Sequence, residues 1–157
     1  MKRRRFIIDG GKVFLSALYI PNFISENPQD IGIEIEQITF GSEHHFFGYI
    51  GQSLTIPWNK NGNHIVCLSS SFHDHLPGKG EAANVNLINL DRKIKGHYLV
   101  EKLDESQGWN PQQGTMFYWN PHRPDHQFFF NDRDPRSGVI FTVLYDINKR
   151  QRVKTFH

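Results

Sequence analysis

The feature that most constrains what this chain can fold into is a loose internal repeat. Ser53-Leu54-Thr55-Ile56-Pro57-Trp58-Asn59, a polar turn and His64-Ile65-Val66-Cys67-Leu68 are answered later by Thr115-Met116-Phe117-Tyr118-Trp119-Asn120-Pro121, a polar turn and Gln127-Phe128-Phe129-Phe130-Asn131. The two Trp-Asn pairs stand 61 positions apart. Self-similarity of this kind marks a fold built from repeated supersecondary units, none of which can bury its apolar face alone. At each repeat the indole ends a strand and can pack on the neighbouring unit, while the asparagine starts the hairpin into the next strand.

Both halves continue in the same order. In the first, a polar loop leads to a strand over Asn84–Leu90, a turn at Asp91-Arg92-Lys93 and a strand over His97–Leu103. In the second, a short loop leads to Gly138–Asp146, a turn at Asn148-Lys149-Arg150 and a last strand over Gln151–Phe156. Short antiparallel strands in fours, joined by turns, make a propeller blade. The spacing therefore predicts an all-β chain, an incomplete β-propeller of about two four-stranded antiparallel blades plus an N-terminal strand. That extra strand is read over Ile31–Phe40, where Ile31, Ile33 and Ile35 alternate with Gly32, Glu34 and Glu36 in the period of a half-buried strand. Three Trp, five Tyr and thirteen Phe, spread between Gly, Asn and Pro, likewise favour strands over helices. The extra length of the first unit lies in the loop Ser70–Ala83, where Pro77-Gly78-Lys79-Gly80 predicts a protrusion. The resulting organisation is a leader over 1–22, a linker over 23–30, the N-terminal strand and approach to the repeats over 31–50, a first blade over 51–104 and a second over 105–157.

The leader begins with Lys2-Arg3-Arg4-Arg5-Phe6-Ile7-Ile8 and continues into a modest apolar stretch, Val13–Ile20. A basic segment before a short apolar one is the layout of an export signal, and this stretch is too short to span a bilayer as a helix. Arg3 and Arg4 followed by Phe6 fit the twin-arginine pattern, which predicts export to the periplasm or cell envelope, the alternative being a basic start that runs into an ordinary strand over Val13–Ile20. The same residues account for the formal net charge of +2. Lys2, Arg3, Arg4 and Arg5 are four of eighteen Lys and Arg, and without them 14 cations face 16 carboxylates. The body thus lacks the basic stripe that a nucleic-acid backbone would need, so nucleic acid is not an expected partner. Cys67, the single cysteine, lies in the apolar run Ile65–Leu68; an intrachain disulfide is impossible, and the residue reads as a small buried hydrophobe.

Several motifs together carry a family resemblance. His44-His45-Phe46-Phe47-Gly48-Tyr49, the Pro57-Trp58-Asn59 turn, Trp109-Asn110-Pro111-Gln112-Gln113-Gly114 within Ser106–Met116, and Phe130-Asn131-Asp132-Arg133 resemble the N-terminal part of exported bacterial TolB-like, WD40-like propellers, which are related to oligogalacturonate lyases. The resemblance spans roughly residues 40 to 147. It implies a closed ring of several blades, of which two are present here. An open propeller leaves an apolar blade face and strand edges uncovered, so self-association through open blade edges is an expected partnership. Lyases of this type hold their metal through His and Gln residues of later blades, so the resemblance assigns no catalytic residue to this chain. Phe72-His73-Asp74-His75-Leu76-Pro77 also departs from the family's Phe-x-Asp-Arg-Pro-Pro, which puts the charge-pairing role of the missing arginine, at His75, in doubt.

Three groups of side chains are candidate sites. His73, Asp74 and His75 supply ligand types suited to a divalent metal, with His44 or His45 needed as a further ligand. His44 and His45 themselves, at the approach to the first unit, are placed to bind a ligand or exchange protons near a ring channel. Trp109, Asn110, Gln112 and Gln113 set an aromatic face beside amides, a combination that suits a sugar ring and its hydroxyls, the alternative being that they serve blade packing. Asn131-Asp132-Arg133-Asp134-Pro135-Arg136 is a charge-rich hairpin that turn chemistry explains without function. The functional expectation is a carbohydrate- or ligand-binding, or structural, module without catalytic activity of its own. The alternative is part of a lyase acting on an oligogalacturonate-like polysaccharide.

Overall fold

The computed structural model describes residues 34–48 and 56–157. The leader over 1–22, with Arg3, Arg4 and Phe6, and the linker over 23–30 lie outside the described residues. Eight strands form in chain order: β1 His44–Phe46, β2 His64–Ser70, β3 Ala83–Ile94, β4 His97–Ser106, β5 Tyr118–Trp119, β6 Gln127–Arg133, β7 Ile140–Asp146 and β8 Gln151–Phe156. They make two four-stranded antiparallel sheets, ordered β1-β2-β3-β4 and β5-β6-β7-β8. Both sheets belong to one compact unit, Glu36–His157. Of the other unit, Met1–Ile35, only Glu34 and Ile35 are described, and both are exposed.

The inner strands are made of residues that favour a pleated surface buried on both sides. Ile65, Val66, Cys67 and Leu68 of β2 are all buried, as are Phe128 and Phe130 of β6. Alternation along β2 divides its side chains. Val66 and Leu68, with Val85 and Leu87 of β3, join the core shared with the second sheet, while Ile65, Cys67 and Ile88 point the other way, beneath Ile38, Phe47 and Val100. From the second sheet, Phe128, Phe130, Val143 and Tyr145 enter the shared core. Phe117 meets the edge of Phe128 at 5.8 Å, and Phe128 lies 5.5 Å from Tyr145, distances at which aromatic pairs attract.

The repeat holds residue by residue. Trp58 bridges Ile65 as Trp119 pairs with Phe128. Asn59 N donates to His64 O at 3.0 Å, and Asn120 N donates to Gln127 O at 2.8 Å. Asn59 Oδ1 accepts from the amides of Asn63 and His64, both at 3.0 Å, and Asn120 Oδ1 accepts from His122 N at 3.1 Å, so each asparagine closes its own hairpin. Matching Ile65 to Phe128 also matches Val66 to Phe129 and Leu87 to Leu144. The face that the first sheet turns toward the second therefore corresponds to the face that the second turns away, and the stacking is head-to-tail.

Besides shifts of a few residues at strand ends, the structure differs from the sequence expectation in four places. The edge strand of the first sheet, expected over Ser53–Asn59, is split: β1 pairs with Leu68–Ser70, and of the described residues in 53–59 only Trp58 bridges β2. Residues 34–40 hold no strand despite their alternation. Instead Ile38 packs on the sheet, and Glu36 accepts from Lys93 Nζ at 2.5 Å and Tyr98 Oη at 2.7 Å. The turn expected at Asp91-Arg92-Lys93 falls at Lys95-Gly96, whose φ values of 52° and 84° make the two-residue connection that strand twist favours. β3 and β4 run out together beyond the core, where every residue from Asp91 to His97 is exposed and charges have nothing apolar to displace. β5 is only two residues long, because Met116, at φ 58°, interrupts the extended chain ahead of it.

Candidate functional site

The residues singled out by sequence fall into separate environments. Trp109 is 3% exposed, with its ring against Phe46 at 5.7 Å and Phe72 at 5.4 Å, and its Nε1 donates to Glu81 O at 3.0 Å. It ties the β2–β3 loop to the core and presents no face to a sugar. Asn110 Oδ1 accepts from the amides of Gln112 and Gln113 at 3.0 and 2.7 Å, closing a tight loop with the Gln112 and Gln113 side chains outside. His44 Nε2 and His73 Nδ1 lie 3.2 Å apart. His45, on the opposite face of β1, is half-buried, which pushes its pKa down, and it lines a shallow depression of about 460 Å³ with Asn84, Asn86 and Lys102.

His75 stacks on Phe72 at 4.1 Å, with Nδ1 2.9 Å from Asp74 Oδ1 and Nε2 3.5 Å from Glu81 Oε2. The Asp74 hydrogen bond, foremost, holds its pKa above the ordinary histidine value. His75 therefore keeps a charge-pairing role in the loop where the sequence comparison put one in doubt. His73 thus has His44 as its neighbour while His75 has Asp74 and Glu81. Among the described residues, no group of three or more His, Cys, Asp or Glu is placed to hold a metal ion.

A different set of residues meets in a cleft of about 250 Å³, where the β2–β3 loop, the start of the β4–β5 connection and the β6–β7 loop come together. Its floor is braced by Asp132, which is buried. Asp132 Oδ1 accepts from Gln107 N at 2.9 Å and Arg133 N at 2.8 Å, and Oδ2 accepts from Arg152 Nη1 at 2.8 Å. Ser106 Oγ donates to Asn131 O at 2.6 Å and accepts from Gly108 N at 3.0 Å. A Cβ on Gly108 would lie 2.7–2.9 Å from the Asp132 backbone, so only glycine permits this approach between the sheets.

The β6–β7 wall is shaped by Asp134. Its Oδ1 accepts from Ser137 N at 2.7 Å, Arg136 N at 2.9 Å and Ser137 Oγ at 3.1 Å, and these bonds hold its carboxyl below the usual carboxylate range. On the opposite wall Gly78 N donates to Glu81 Oε2 at 2.6 Å. Lys79, Arg133 and Arg136 line the cleft and are exposed, and none of them makes an ion pair among the described residues. Sequence reasoning placed Lys79 on a protruding loop and the arginines in a charge-rich hairpin. No local signal linked them, because their proximity depends on how the two sheets stack.

The fold and the cleft define an all-β protein of two repeated four-stranded antiparallel sheets with a polar, cation-lined recess between its loops. Compared with known proteins, the chain matches no family model, no curated protein and no solved structure.

Proposed function

We propose that this chain is a section of a β-propeller that binds a small polar ligand, a saccharide in the first instance, in the loop cleft, without catalytic activity of its own. The propeller reading is supported by the joint between the sheets. Trp119 Nε1 donates to Pro57 O at 2.9 Å across it. The repeat-equivalent indole, Trp58, is 45% exposed, and Tyr118, the equivalent of Pro57, is also exposed. Each is half of a joint that a further sheet would complete, whether from additional blades or by self-association. Export to the periplasm or cell envelope belongs to the same reading and rests on Arg3, Arg4 and Phe6.

The binding reading is carried by one observation: a recess assembled from loops of both sheets over a braced floor, lined by side chains that can bond hydroxyls. Binding is favoured over the lyase alternative because cleavage needs a base aimed at the substrate. The one carboxylate lining the cleft, Asp134, already accepts three hydrogen bonds within its own turn. Titration of the full chain with neutral and acidic saccharides, followed by calorimetry, is expected to give saturable binding that Gln107→Trp, filling the floor, removes. A panel without a binder, or binding indifferent to Gln107→Trp, would refute the assignment. New ultraviolet absorbance from oligogalacturonate with a divalent metal would favour the lyase instead.

A further inference from the structure

We infer that the ligand of this cleft carries a doubly negative oxyanion, the charge of a phosphomonoester. The inference rests on the reading that the cleft is the binding site, and it adds the chemistry that the cleft selects.

Three cations from two different loops line one recess: Lys79 from the β2–β3 loop, Arg133 at the end of β6 and Arg136 in the β6–β7 loop. Among the described residues Arg150 pairs with Glu101, Arg152 with Asp104 and Asp132, Lys93 with Glu36 and Lys102 with Glu105. The cleft cations share their lack of an ion pair with other exposed cations, and what sets them apart is that three of them line one recess. Of the residues lining the cleft, three are cations and one, Asp134, is a carboxylate; the Glu81 carboxylate behind Gly78 is turned to the Gly78 amide and to His75. Asp134 cannot turn to neutralise an arginine without giving up the bonds from Arg136 N, Ser137 N and Ser137 Oγ that shape its turn.

A lining in which cations outnumber carboxylates favours an anion, and a dianion gains more from three cations than a monoanionic carboxylate does. The side-chain types agree: a guanidinium offers a planar fork that fits phosphate oxygens in pairs, and a lysine adds a compact point charge. Size agrees as well. A recess of about 250 Å³ is smaller than the roughly 300–1,000 Å³ of a drug-sized site and suits a small phosphorylated molecule. Because the cations are exposed, the attraction should be screened by salt.

The test is calorimetric titration of the full chain at low ionic strength with a hexose phosphate, inorganic phosphate, the parent hexose and a hexuronate. The hexose phosphate is expected to bind at least about tenfold more tightly than the hexose or the hexuronate, and to weaken as salt is added. Competition by inorganic phosphate alone would assign the site to the oxyanion, and a clear preference for the hexose phosphate would add the sugar. Arg133→Gln, Arg136→Gln and Lys79→Gln should each weaken phosphate binding about tenfold with an unchanged urea midpoint, since none of the three is buried. Hexuronate or neutral hexose binding as tightly as the hexose phosphate would overturn the charge inference while the cleft remained the binding site. Phosphate binding that survives all three substitutions together would also overturn it. Failure of every ligand to bind the folded chain would overturn both readings.

Discussion

Arg152 lies on β8, the outermost strand of the second sheet, and its guanidinium joins that sheet to the first. Nε and Nη2 donate to the two oxygens of Asp104 at 2.7 and 2.9 Å, Nη2 also to Glu105 O at 3.0 Å, and Nη1 to Asp132 Oδ2 at 2.8 Å. The side chains of Asp104 and Asp132 are 19% and 12% exposed, and that of Arg152 is 34% exposed. An ion pair in full solvent is worth about 0–1 kcal/mol. Breaking a buried pair costs about 3–5 kcal/mol, because the charge left behind has lost its compensation. Here Arg152→Gln would strand two largely buried carboxylates, while the partial exposure of Arg152 lets water recover some of the loss. The expected destabilisation is about 2–4 kcal/mol, or roughly a 10 °C fall in Tm for a unit of this size. Urea unfolding followed by tryptophan fluorescence should show the midpoint falling at constant m-value. Arg152→Lys, which keeps the charge but not the fork, should fall between the two. A loss below about 1 kcal/mol for Arg152→Gln would refute the reasoning and reduce the clamp to a surface pair.

The repeated tryptophans should differ in cost. Trp119→Phe loses the bond to Pro57 O and should destabilise by about 1–2 kcal/mol, whereas exposed Trp58→Phe should cost under about 0.5 kcal/mol in urea unfolding; equal costs would contradict the head-to-tail joint. Cys67 is fully buried, and burial, aided by the Glu43 charge, pushes its thiol up to about 12. A thiol reagent at pH 8 should therefore label the protein only once urea unfolds it, and rapid labelling of the native chain would argue against the packing of β2. Burial would raise the Asp146 pKa, but donors from Gln127 Nε2 at 2.8 Å and from the Lys149 and Asn148 amides hold it below the ordinary value. With the folded pKa lower than the unfolded one, its contribution is complete above about pH 4 and is lost as pH falls through the folded value. Asp146→Asn should flatten the acid limb of a stability profile, and an unchanged limb would count against this account.

Sequence patterning read some parts of the fold well. The strand over Gln151–Phe156 and the turn before it agree with the structure, and so does the asparagine that opens each hairpin, because these depend on a few neighbouring residues. Patterning failed where a distant segment intervened. The period-two alternation of Ile31–Ile35 continues into residues 34–40, yet no partner strand pairs with that segment, and the edge position goes to His44–Phe46. Trp109 beside its amides reads locally either as a sugar platform or as blade packing, and Phe46 and Phe72, closing over the ring from other parts of the chain, decide for packing.

The candidate site shows the same division. By itself, the sequence determined an all-β repeat, the asparagine that opens each hairpin and the burial of Cys67, all consequences of short-range periodicity and turn chemistry. Only the tertiary structure decided that His73 pairs with His44 while His75 pairs with Asp74, and that Lys79, Arg133 and Arg136 share one recess. Charges on separate loops become a site when the stacking of two sheets brings those loops together, and that stacking is set by the shared core of Val66, Leu68, Phe128 and Phe130 rather than by any residue next to the charges in sequence.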